Sequence, residues 1–525
     1  MSRNAGFFAL CSVSAILALG ISCPAGFGAA MPELRTPKAP AAPRINGPVV
    51  YGARPAHPFL YRIPCTGIRP MHFSAAGLPP SLTLDRNTGI ISGSTPEAPG
   101  NYPVTLKAVN SRGRVTRSFM IVVGNRLGLT PQMGWNGWYT LYERPADADI
   151  RKAADAMIAS GMSEYGYQFV DIDDGWARKP GSSDEALGDP IRNSDGTIRP
   201  NVRFPNMSSL TAYIHSLGLK AGIYSGPGPL TCAGLEASYE HEDTDARQYS
   251  SWGFDLLKYD WCGYSKVVKD KSLPELQKPY IKMSSLLEKQ DRDIVLNMCQ
   301  YGMGDVWKWG RQAGGMSWRT TDDLGVAKGS SLPGFYTVGL ANAALDAYAG
   351  PGGWNDPDYI LIGTVGDANH SDLAAQPTPL KPEEQYSYMS MWALMASPLF
   401  FSGDMTKLDD FTVNILCNSE VIDIDQDKMG RQGKVIRKNQ QELVLAKPLA
   451  DGSVAVGLFN LSEGPLTISI DWKDVARSGK LAVRDVWRQH DIGSFADGFK
   501  SQVAAHDVVL VRLIKPGISL ASPGK

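Results

Sequence analysis

The chain contains 525 residues, of which 43% are hydrophobic and 20% are charged, a composition that is typical of a globular protein and excludes a disordered one. Because one hydrophobic core rarely serves more than about 300 residues, several domains are expected. Lys and Arg number 52 and Asp and Glu number 53, so the net charge of -1 excludes a strong overall field for nucleic acid or anionic lipid.

The first 30 residues predict a signal peptide. Arg3 supplies a positive charge, residues 7–22 form an apolar core, and the small residues at 28–30 suit a cleavage site. The apolar run is too short to span a membrane comfortably, and no later stretch is long and apolar enough to do so. We therefore expect the protein to be exported to the periplasm or to the extracellular medium.

A Pro- and Ala-rich linker at 31–44 precedes a segment at 45–125 that predicts a small β-sandwich. Its short alternating runs are separated by turn residues such as Asn87-Thr88-Gly89. Two of these runs read YPVTLKAVN and RVTRSFMIVV. The segment resembles the immunoglobulin-like domains of many exported bacterial enzymes, and we interpret it as a spacer without a ligand of its own.

Residues 126–418 alternate apolar runs with amphipathic segments of helix length, which predicts parallel strands joined by crossover helices. One helix is expected to begin near Asp147 and Asp149, because acidic residues are favourable in a first turn. Residues 419–525 return to short alternating runs and predict an antiparallel β-sandwich. Eight apolar runs in the central segment predict a closed (β/α)₈ TIM barrel, and they read PQMGWNGW, YQFVDIDDGW, KAGIYSG, FDLLKYDWC, DIVLNMCQ, SWRTTDDL, GGWNDPDYILIG and PLFFSGDM.

Most of these runs end in acidic, aromatic or cationic residues. In a TIM barrel the carboxyl ends of the strands form the catalytic face, so these side chains are expected to surround one site. The floor of a barrel needs no such ring. The residues concerned are Asp173, Asp174, Tyr224, Lys258, Asp260, Gln300, Arg319, Asp323, Asp356 and Asp358.

The fourth run, LLKYDWC, predicts a nucleophile. Side chains alternate along a strand, so Lys258, Asp260 and Cys262 share one face. Lys258 is then expected to keep Asp260 ionised by charge proximity and to donate to a substrate hydroxyl, and an ionised carboxylate at a strand end is what a glycosyl nucleophile requires. A second carboxyl is needed as acid and base, and the sixth run offers both Asp322 and Asp323, between which spacing alone does not decide.

At this point the motifs resemble, in the same order, those of glycoside hydrolase family 27, the α-galactosidase and α-N-acetylgalactosaminidase family. The resemblance covers roughly residues 126 to 515. A lone pair of aspartates would carry no such weight, but several independent blocks recur here. The blocks that carry it are PQMGWNGW, VDIDDGW, GLKAGIYSG followed by TCAG, LLKYDWC, WRTTDDL, AGPGGWNDPDYILIG and SPLFFSGDM.

The resemblance implies hydrolysis of terminal α-D-galactosyl residues with retention, through a covalent galactosyl-enzyme and without a cofactor or metal. It assigns the nucleophile to Asp260 and the acid/base to Asp323, with Asp322 as a neighbour. In retaining enzymes the two carboxyl groups lie roughly 5 to 5.5 Å apart across the sugar. The implied substrates are galactose-containing oligosaccharides, polysaccharides or glycoconjugates.

The resemblance also implies which residues hold the sugar. Asp173 and Asp174 would bind the axial 4-hydroxyl and the 6-hydroxyl of galactose, and Lys258 would bind ring hydroxyls. Retention of both aspartates favours a sugar that carries a 6-hydroxyl, because an unpaired buried carboxylate is costly. Tyr359 stands where relatives often have Met, which changes the packing beneath the sugar.

Further substrate contacts are implied at the other strand ends. Arg319 would contact the 2-hydroxyl side, Tyr224 would bind substrate at the third strand, and Trp135 and Trp138 would line an apolar sugar face. Many relatives have Glu where this chain has Gln300, so a carboxylate near the 2-position becomes an amide. Tolerance at the 2-position is therefore expected to differ.

The resemblance implies a disulfide between Cys232 and Cys262, joining the loops after the third and fourth strands. An oxidising compartment outside the cytoplasm permits such a bond, which would stiffen the rim beside Asp260. We interpret Cys65, Cys299 and Cys417 as buried thiols.

Alternatives remain at this level. On the same fold, α-N-acetylgalactosaminidase and β-L-arabinopyranosidase activities are the nearest. A metal-dependent hydrolase or isomerase would use the aspartates as a cage for a divalent cation, although Lys258 and Arg319 would repel that ion. The third alternative is a non-catalytic carbohydrate-binding protein with a degenerate barrel. The presence of both Asp260 and Asp323 argues against it.

Overall fold

The computed structural model describes residues 31–324, 332–366 and 374–516, so the predicted signal peptide lies outside the described residues. Residues from Leu34 onward form one compact unit. Within the described part, the buried apolar side chains form three clusters. Each sandwich has one of its own, and the largest fills the barrel and also includes side chains of the C-terminal sandwich such as Leu445 and Trp487. No helix among the described residues is long and apolar enough to cross a membrane.

The first domain is the predicted β-sandwich. One sheet has the strand order β2-β9-β8-β5, a second has β3-β7-β6, and β1 pairs with β4. Its core lies between the two larger sheets, where Tyr61 stacks on Phe119. The strands are β1 Arg44–Ile45, β2 Val50–Ala53, β3 Pro58–Arg62, β4 Cys65–Thr66, β5 His72–Ala76, β6 Leu82–Leu84, β7 Ile90–Ser94, β8 Gly100–Asn110 and β9 Gly113–Val123.

The central domain is the predicted (β/α)₈ barrel, and each of the eight predicted runs contains one strand. Neighbouring strands are parallel and follow chain order, with the first paired to the last. The chain after the seventh strand closes the ring, since Ile360 bridges Phe401 in parallel. The strands are β10 Met133–Asn136, β11 Phe169–Asp171, β12 Lys220–Ser225, β13 Leu256–Asp260, β14 Val295–Cys299, β15 Ser317–Arg319, β16 Trp354–Asp356 and, after the short hairpin of β17 Thr364–Val365 and β18 Gln376–Pro377, β19 Leu399–Phe401.

Helices connect these strands and cover the barrel. They are α1 Trp138–Leu141, α2 Asp147–Ala159, α3 Met207–Ser216, α4 Glu242–Trp252, α5 Leu273–Leu287, α6 Val306–Trp309, α7 Gly334–Ala343, α8 Pro382–Leu394, α9 Asp410–Leu416 and α10 Ser419–Asp425. Short 3₁₀ helices occur at Met162–Tyr165, Cys262–Lys266, Met405–Lys407 and Trp472–Val475.

Helix α2 shows why these segments are helical. Asp147 and Asp149 lie in its first turn, where the helix dipole stabilises negative charge, and Arg151 pairs with Asp147 one turn later. Apolar side chains recur at i, i+3, i+4 and i+7, so one face packs on the barrel. Those buried residues are Ile150, Ala153, Ala154 and Met157.

The last domain is the predicted C-terminal β-sandwich. A large sheet has the order β20-β21-β22-β27-β24-β25, and β23 pairs with β26. The large sheet packs against α8 of the barrel, and the indole of Trp487 donates to Ser390 Oγ on that helix at 2.8 Å. Its strands are β20 Lys434–Lys438, β21 Glu442–Pro448, β22 Val454–Asn460, β23 Leu466–Asp471, β24 Leu481–Asp485, β25 His490–Phe495, β26 Gly498–Val503 and β27 Val508–Ile514.

The first domain docks on the amino-terminal end of the barrel. Arg54, just after β2, pairs with Asp293 at 2.7 Å and donates to the carbonyl oxygens of Glu288 and Arg292. His57 Nδ1 lies 2.9 Å from the same carboxylate of Asp293. This domain is thus bonded to the floor of the barrel, opposite the ring of predicted site residues.

A second buried carboxylate on the floor is Asp255, which directly precedes β13. It accepts hydrogen bonds from Arg292 at 2.7 Å and from the backbone N–H of Ala221 at 2.9 Å, and His215 Nε2 lies 2.8 Å away. We call the charged residues at this end the floor cluster. It consists of Arg54, His57, His215, Lys220, Asp255, Arg292 and Asp293.

Candidate active site

The carboxyl ends of the barrel strands surround one cavity. It holds about 410 Å³ of space between its walls, including the part open to solvent. Side chains from the ends of most strands meet there, as the pattern of strand ends predicts. The cavity is lined by Trp138, Tyr139, Asp173, Asp174, Tyr224, Cys232, Lys258, Asp260, Tyr301, Arg319, Asp323, Asp358 and Tyr359.

Asp260 ends β13 and is 4% exposed. Its Oδ1 accepts a hydrogen bond of 2.6 Å from the hydroxyl of Tyr301. Burial raises the pKa of the Asp260 carboxyl, while the charge of Lys258 and the Tyr301 hydrogen bond act to lower it, and the carboxylates of Asp323 and Asp173 add to the rise. Opposed effects therefore act on the pKa of this carboxyl, and the net result is a raised pKa.

Lys258 forms its ion pair with Asp173, not with Asp260. Its Nζ lies 2.8 Å from Asp173 Oδ2, because the side chain points toward the end of β11 rather than along its own strand. The same oxygen accepts from Asn136 Nδ2 at 2.8 Å and from the Tyr359 hydroxyl at 3.3 Å. Lys258 therefore favours the ionised form of Asp260 through its charge, and not through a direct ion pair with it.

Asp174 is held by backbone donors. Ala233 N–H donates to its Oδ2 at 2.9 Å, and Gly175 N–H donates to its Oδ1 at 2.8 Å. Burial raises the pKa of Asp174 to about 7 in spite of these hydrogen bonds. The Asp173 and Asp174 pair is thus oriented on the cavity wall before any ligand binds.

Arg319 joins two carboxylates of very different exposure. Its guanidinium lies 3.1 Å from Asp323 and 3.1 Å from Asp358, whose side chains are 54% and 1% exposed. Asp358 has a positive φ of 91° and also accepts from Leu324 N–H at 2.8 Å. Burial raises the pKa of Asp358 to about 6, against the charge of Arg319. Asp358 and Arg319 together fix the backbone and side chain around Asp323, while Asp322 does not line the cavity.

The disulfide that the resemblance implied is present. Cys232 and Cys262 are bonded, with their Cα atoms 5.1 Å apart, and Cys232 lines the cavity. The three cysteines interpreted as thiols, Cys65, Cys299 and Cys417, are free and buried. The loops after β12 and β13 are therefore tied together beside Asp260.

Two predicted substrate-binding residues do not line the cavity. The indole of Trp135 is buried and donates to the carbonyl oxygen of Gly403 at 2.8 Å. The amide of Gln300 bonds the backbone of Met303 instead, accepting at 2.7 Å and donating at 3.1 Å. Trp135 precedes Asn136 on β10, so alternation along the strand directs the two side chains to opposite faces. Gln300 follows the last residue of β14, and its orientation comes from the turn there.

The predicted substrate contacts omitted several residues that take part in the site. Tyr139 and Tyr301 line the cavity, and Asn136 donates to Asp173. Asp358, predicted among the strand-end residues, and Tyr359, expected to pack beneath the sugar, line it as well. Tyr301 lies beyond the end of β14 in a left-handed conformation, with a φ of 66°, so strand alternation does not indicate it. Tyr139 lies in the short helix α1, where no pattern in the sequence indicates it.

Within the part of the chain that the structure describes, the aspartates of this site do not by themselves form a group of three closely spaced metal-ligating atoms. Among the described residues, the one group with three such atoms close together is Cys232, Asp260 and Cys262. Two of its members are bonded to each other in the disulfide and are not thiolates. Two aspartates of the hypothetical cage, Asp173 and Asp323, are instead paired with Lys258 and Arg319.

Family comparisons match all three domains. Residues 130–427 match the family described as "Alpha galactosidase A", and residues 441–513 match the "Alpha galactosidase C-terminal beta sandwich domain". Residues 42–124 match the "Putative Ig domain". The three matches follow the order of the barrel and its two flanking sandwiches.

Individual proteins are similar over most of the chain. The chain is 35% identical to an alpha-galactosidase of Oryza sativa subsp. japonica over 417 residues, which cover 78% of this chain and 91% of that protein. It is also 35% identical to alpha-galactosidase A of Cellvibrio japonicus (strain Ueda107), over 74% of this chain and 93% of that protein. A solved "putative alpha-galactosidase" from Bacteroides fragilis NCTC 9343 superposes with a TM-score of 0.82 at 35% identity, covering 90% of this chain and 98% of that one.

Proposed function

Since the chain belongs to the α-galactosidase family, we propose that it hydrolyses terminal, non-reducing α-D-galactosyl residues with net retention of configuration. One observation carries this proposal: Asp260 and Asp323, from β13 and the loop after β15, line the same cavity beside the Asp173 and Asp174 pair. Two carboxyl groups that flank one sugar carbon are the requirement for double displacement.

In the first step, Asp260 is the nucleophile. A lone pair of its carboxylate forms a bond to the anomeric carbon as the bond from that carbon to the leaving oxygen breaks. Asp323 gives its proton to the leaving oxygen, so the aglycone departs as an alcohol. The exposed position of Asp323 at the cavity mouth supports this role, because the leaving group must be on the open side.

In the second step, Asp323 acts as the base. A water oxygen bonds to the anomeric carbon while a water proton passes to Asp323, and the bond to Asp260 breaks with its electron pair returning to the carboxylate. Galactose is released as the α-anomer. Arg319, which bonds Asp323 at 3.1 Å, keeps that carboxylate in place for both transfers.

We assign the recognition of galactose to the part of the cavity wall that carries the Asp173 and Asp174 pair. Asp173, Asp174 and Lys258 offer paired and oriented polar atoms for the 4- and 6-hydroxyls, and Trp138 offers an apolar face. Asp173 Oδ2 already accepts from three donors. Its Oδ1 accepts only from the backbone N–H of Asp174 among the described residues, at 2.8 Å, so Oδ1 has the greater remaining capacity to accept from a sugar hydroxyl. A sugar without a 6-hydroxyl would leave a buried polar atom unpaired.

Turnover of matched nitrophenyl glycosides tests the proposal. We expect hydrolysis of the α-D-galactopyranoside, with much weaker hydrolysis of the 2-acetamido analogue and of the β-L-arabinopyranoside. Proton NMR of the first-formed sugar is expected to show α-galactose. Inactivity on the α-galactoside with good turnover of either analogue would contradict the proposed substrate. Release of β-galactose as the first product would refute the double displacement.

We also propose that the protein is exported. The apolar segment and small residues of the first 30 positions support this, as does a disulfide, which persists in oxidising compartments. Fractionation of cells that produce the full chain, with sequencing of the mature amino terminus, is expected to find a processed protein outside the cytoplasm. A cytoplasmic protein that retains residues 1–30 would contradict it.

A further inference from the structure

Tyr301 touches the proposed nucleophile, as does the sulfur of Cys262, which lies 3.5 Å from Asp260 Oδ1. The Tyr301 hydroxyl donates to Asp260 Oδ1 at 2.6 Å, within the range of a strong hydrogen bond to a charged acceptor. The phenol oxygen also lies 3.4 Å from Cys262 Sγ and 3.9 Å from Cys232 Sγ, so it packs on the disulfide. The hydroxyl is confined between the disulfide and the carboxylate.

The backbone at Tyr301 adopts an uncommon conformation. Tyr301 has a positive φ of 66°, a left-handed conformation that is costly for a bulky residue. Gln300 fixes this turn, because its side-chain amide accepts from Met303 N–H and donates to Met303 O. The N–H of Gly302 donates to Arg319 O at 3.1 Å and anchors the turn to β15.

We propose that Tyr301 and Gln300 are a pair of positioning residues for the nucleophile: the Gln300 amide holds a strained turn that keeps the Tyr301 hydroxyl on Asp260 through both steps of the reaction. This inference rests on the proposed function, since it gives Asp260 the role of nucleophile. It also assigns Gln300 to support of the loop instead of contact with the sugar 2-position.

The consequence for the reaction lies mainly in the second step. As water bonds to the anomeric carbon and gives a proton to Asp323, the carbon–oxygen bond to Asp260 breaks and negative charge returns to the carboxylate. The Tyr301 hydroxyl donates to that developing charge and makes Asp260 a better leaving group. Before the first step, the same hydrogen bond favours the ionised carboxylate that attacks.

Other groups act on Asp260 as well. Burial raises its pKa, and Lys258 opposes that rise by its charge. Removing the Tyr301 donor takes away one of the two effects that lower the pKa, so the carboxyl would become protonated at a higher pH than in the wild type. Among the described residues, the ionisable and charged side chains that interact electrostatically with Asp260 are Asp173, Tyr224, Lys258, Tyr280, Cys299, Tyr301 and Asp323.

The test is Tyr301→Phe, assayed on 2,4-dinitrophenyl α-galactoside, whose leaving group makes the second step limiting. We expect kcat to fall by about tenfold to a hundredfold, the range for losing a hydrogen bond to a charged group. KM is expected to fall as well, because the galactosyl-enzyme accumulates, and mass spectrometry of the quenched protein is expected to detect it. The acid limb of the kcat/KM profile is expected to move to higher pH.

The matched control is Tyr213→Phe. Tyr213 also donates to a carboxylate, that of Asp155, but on the outer surface of the barrel and away from the cavity. Its removal is expected to leave kcat, KM and the acid limb unchanged. Wild-type activity on the same substrate is the reference: an inactive wild type refutes the proposed function, whereas an active wild type with an unmoved acid limb in Tyr301→Phe refutes this inference alone.

Gln300→Ala tests the other half of the pair. It is expected to move the acid limb in the same direction, and to have no further effect on it in a Tyr301→Phe background, because Gln300 acts through Tyr301. If Tyr301→Phe does not fold, the shift in Gln300→Ala decides the matter. A Gln300→Ala variant that changes only KM, or that changes selectivity for a 2-acetamido sugar, would overturn the assignment of Gln300.

Discussion

Asp255 and Asp260 lie at opposite ends of the same region of β13 and are almost equally buried, at 5% and 4% exposure. Their pKa values nevertheless move in opposite directions. Burial acts to raise the pKa of Asp255, but the charges and hydrogen bonds of His215, Lys220 and Arg292 outweigh it and hold the pKa below its usual range. At Asp260 burial prevails.

The difference lies in how many cations each carboxylate receives. The floor cluster surrounds Asp255 with opposite charge, as a structural ion-pair network does. Asp260 shares its surroundings with two other carboxylates, Asp173 and Asp323, and the nearby cations are bonded to these two: Lys258 to Asp173 and Arg319 to Asp323. A buried carboxylate that remains short of partners is suited to chemistry, whereas a fully paired one stabilises the fold.

The sharpest test of this contrast is Asp260→Ala. We expect kcat on the nitrophenyl α-galactoside to fall by about four orders of magnitude or more, as when a covalent nucleophile is removed. The free energy of unfolding is expected to change little or to rise, since a poorly compensated buried carboxyl is lost. Calorimetric binding of galactose should persist. Retained turnover would contradict the assignment of Asp260 as the nucleophile.

Asp323→Asn is expected to have the next largest effect, and one that depends on the leaving group. Loss of a general acid costs about a hundredfold to ten-thousandfold in kcat/KM when the leaving oxygen needs a proton. The loss should be small for a dinitrophenyl galactoside, whose leaving group departs without one. Comparison of kcat/KM for that substrate and for a galactosyl disaccharide measures this, and equal losses on both would contradict the assignment.

Asp255→Asn is expected to reverse the pattern seen at Asp260. Removing one partner from a buried ionic network costs about 3 kcal/mol, because Arg292 and Lys220 lose their counter-charge. Urea unfolding measures the loss. Activity per folded molecule should match the wild type, since Asp255 is at the floor. A variant that is stable but inactive would show that the two ends of β13 are not separate in function.

The smallest expected effect is the pH dependence of stability. The lowered pKa of Asp255 gives a contribution that is present above the unfolded-state pKa, near 4, and is lost as the pH falls. Asp174 has the opposite sign, because its pKa is raised to about 7 and its contribution is lost as the pH rises through that value. Relative to wild type, Tm of Asp174→Asn should therefore improve from pH 4 to pH 8.

The companion measurement follows the variant Asp255→Asn, at the floor of the barrel, over a lower pH range. The deficit in Tm of Asp255→Asn should shrink as the pH falls below about 4, because the Asp255 carboxyl of the unfolded wild type is then protonated while that of the folded wild type, with its lowered pKa, stays ionised. Parallel trends in the two variants would indicate that the difference between floor and rim is not electrostatic. Differential scanning calorimetry across this pH range decides between the two outcomes.

Much of the architecture could be read from local pattern. Short apolar runs identify each barrel strand, and the period of 3.6 with acidic first turns identifies helices such as α2. Because the carboxyl ends of parallel strands meet at one edge, the strand-end aspartates could be placed in one site without any contact being known. The resemblance then selected Asp323 over Asp322 and paired Cys232 with Cys262.

The tertiary structure alone decided which groups meet inside that site. Lys258 reaches Asp173 across the barrel, Asp358 holds Arg319 from the next strand, and Tyr301 turns back onto Asp260. These are contacts between residues far apart in the chain, and they depend on barrel curvature and on single backbone angles that no local periodicity encodes. Gln300 is the clearest case: its residue type suggested a sugar contact, while the turn that follows β14 directs its amide to the backbone.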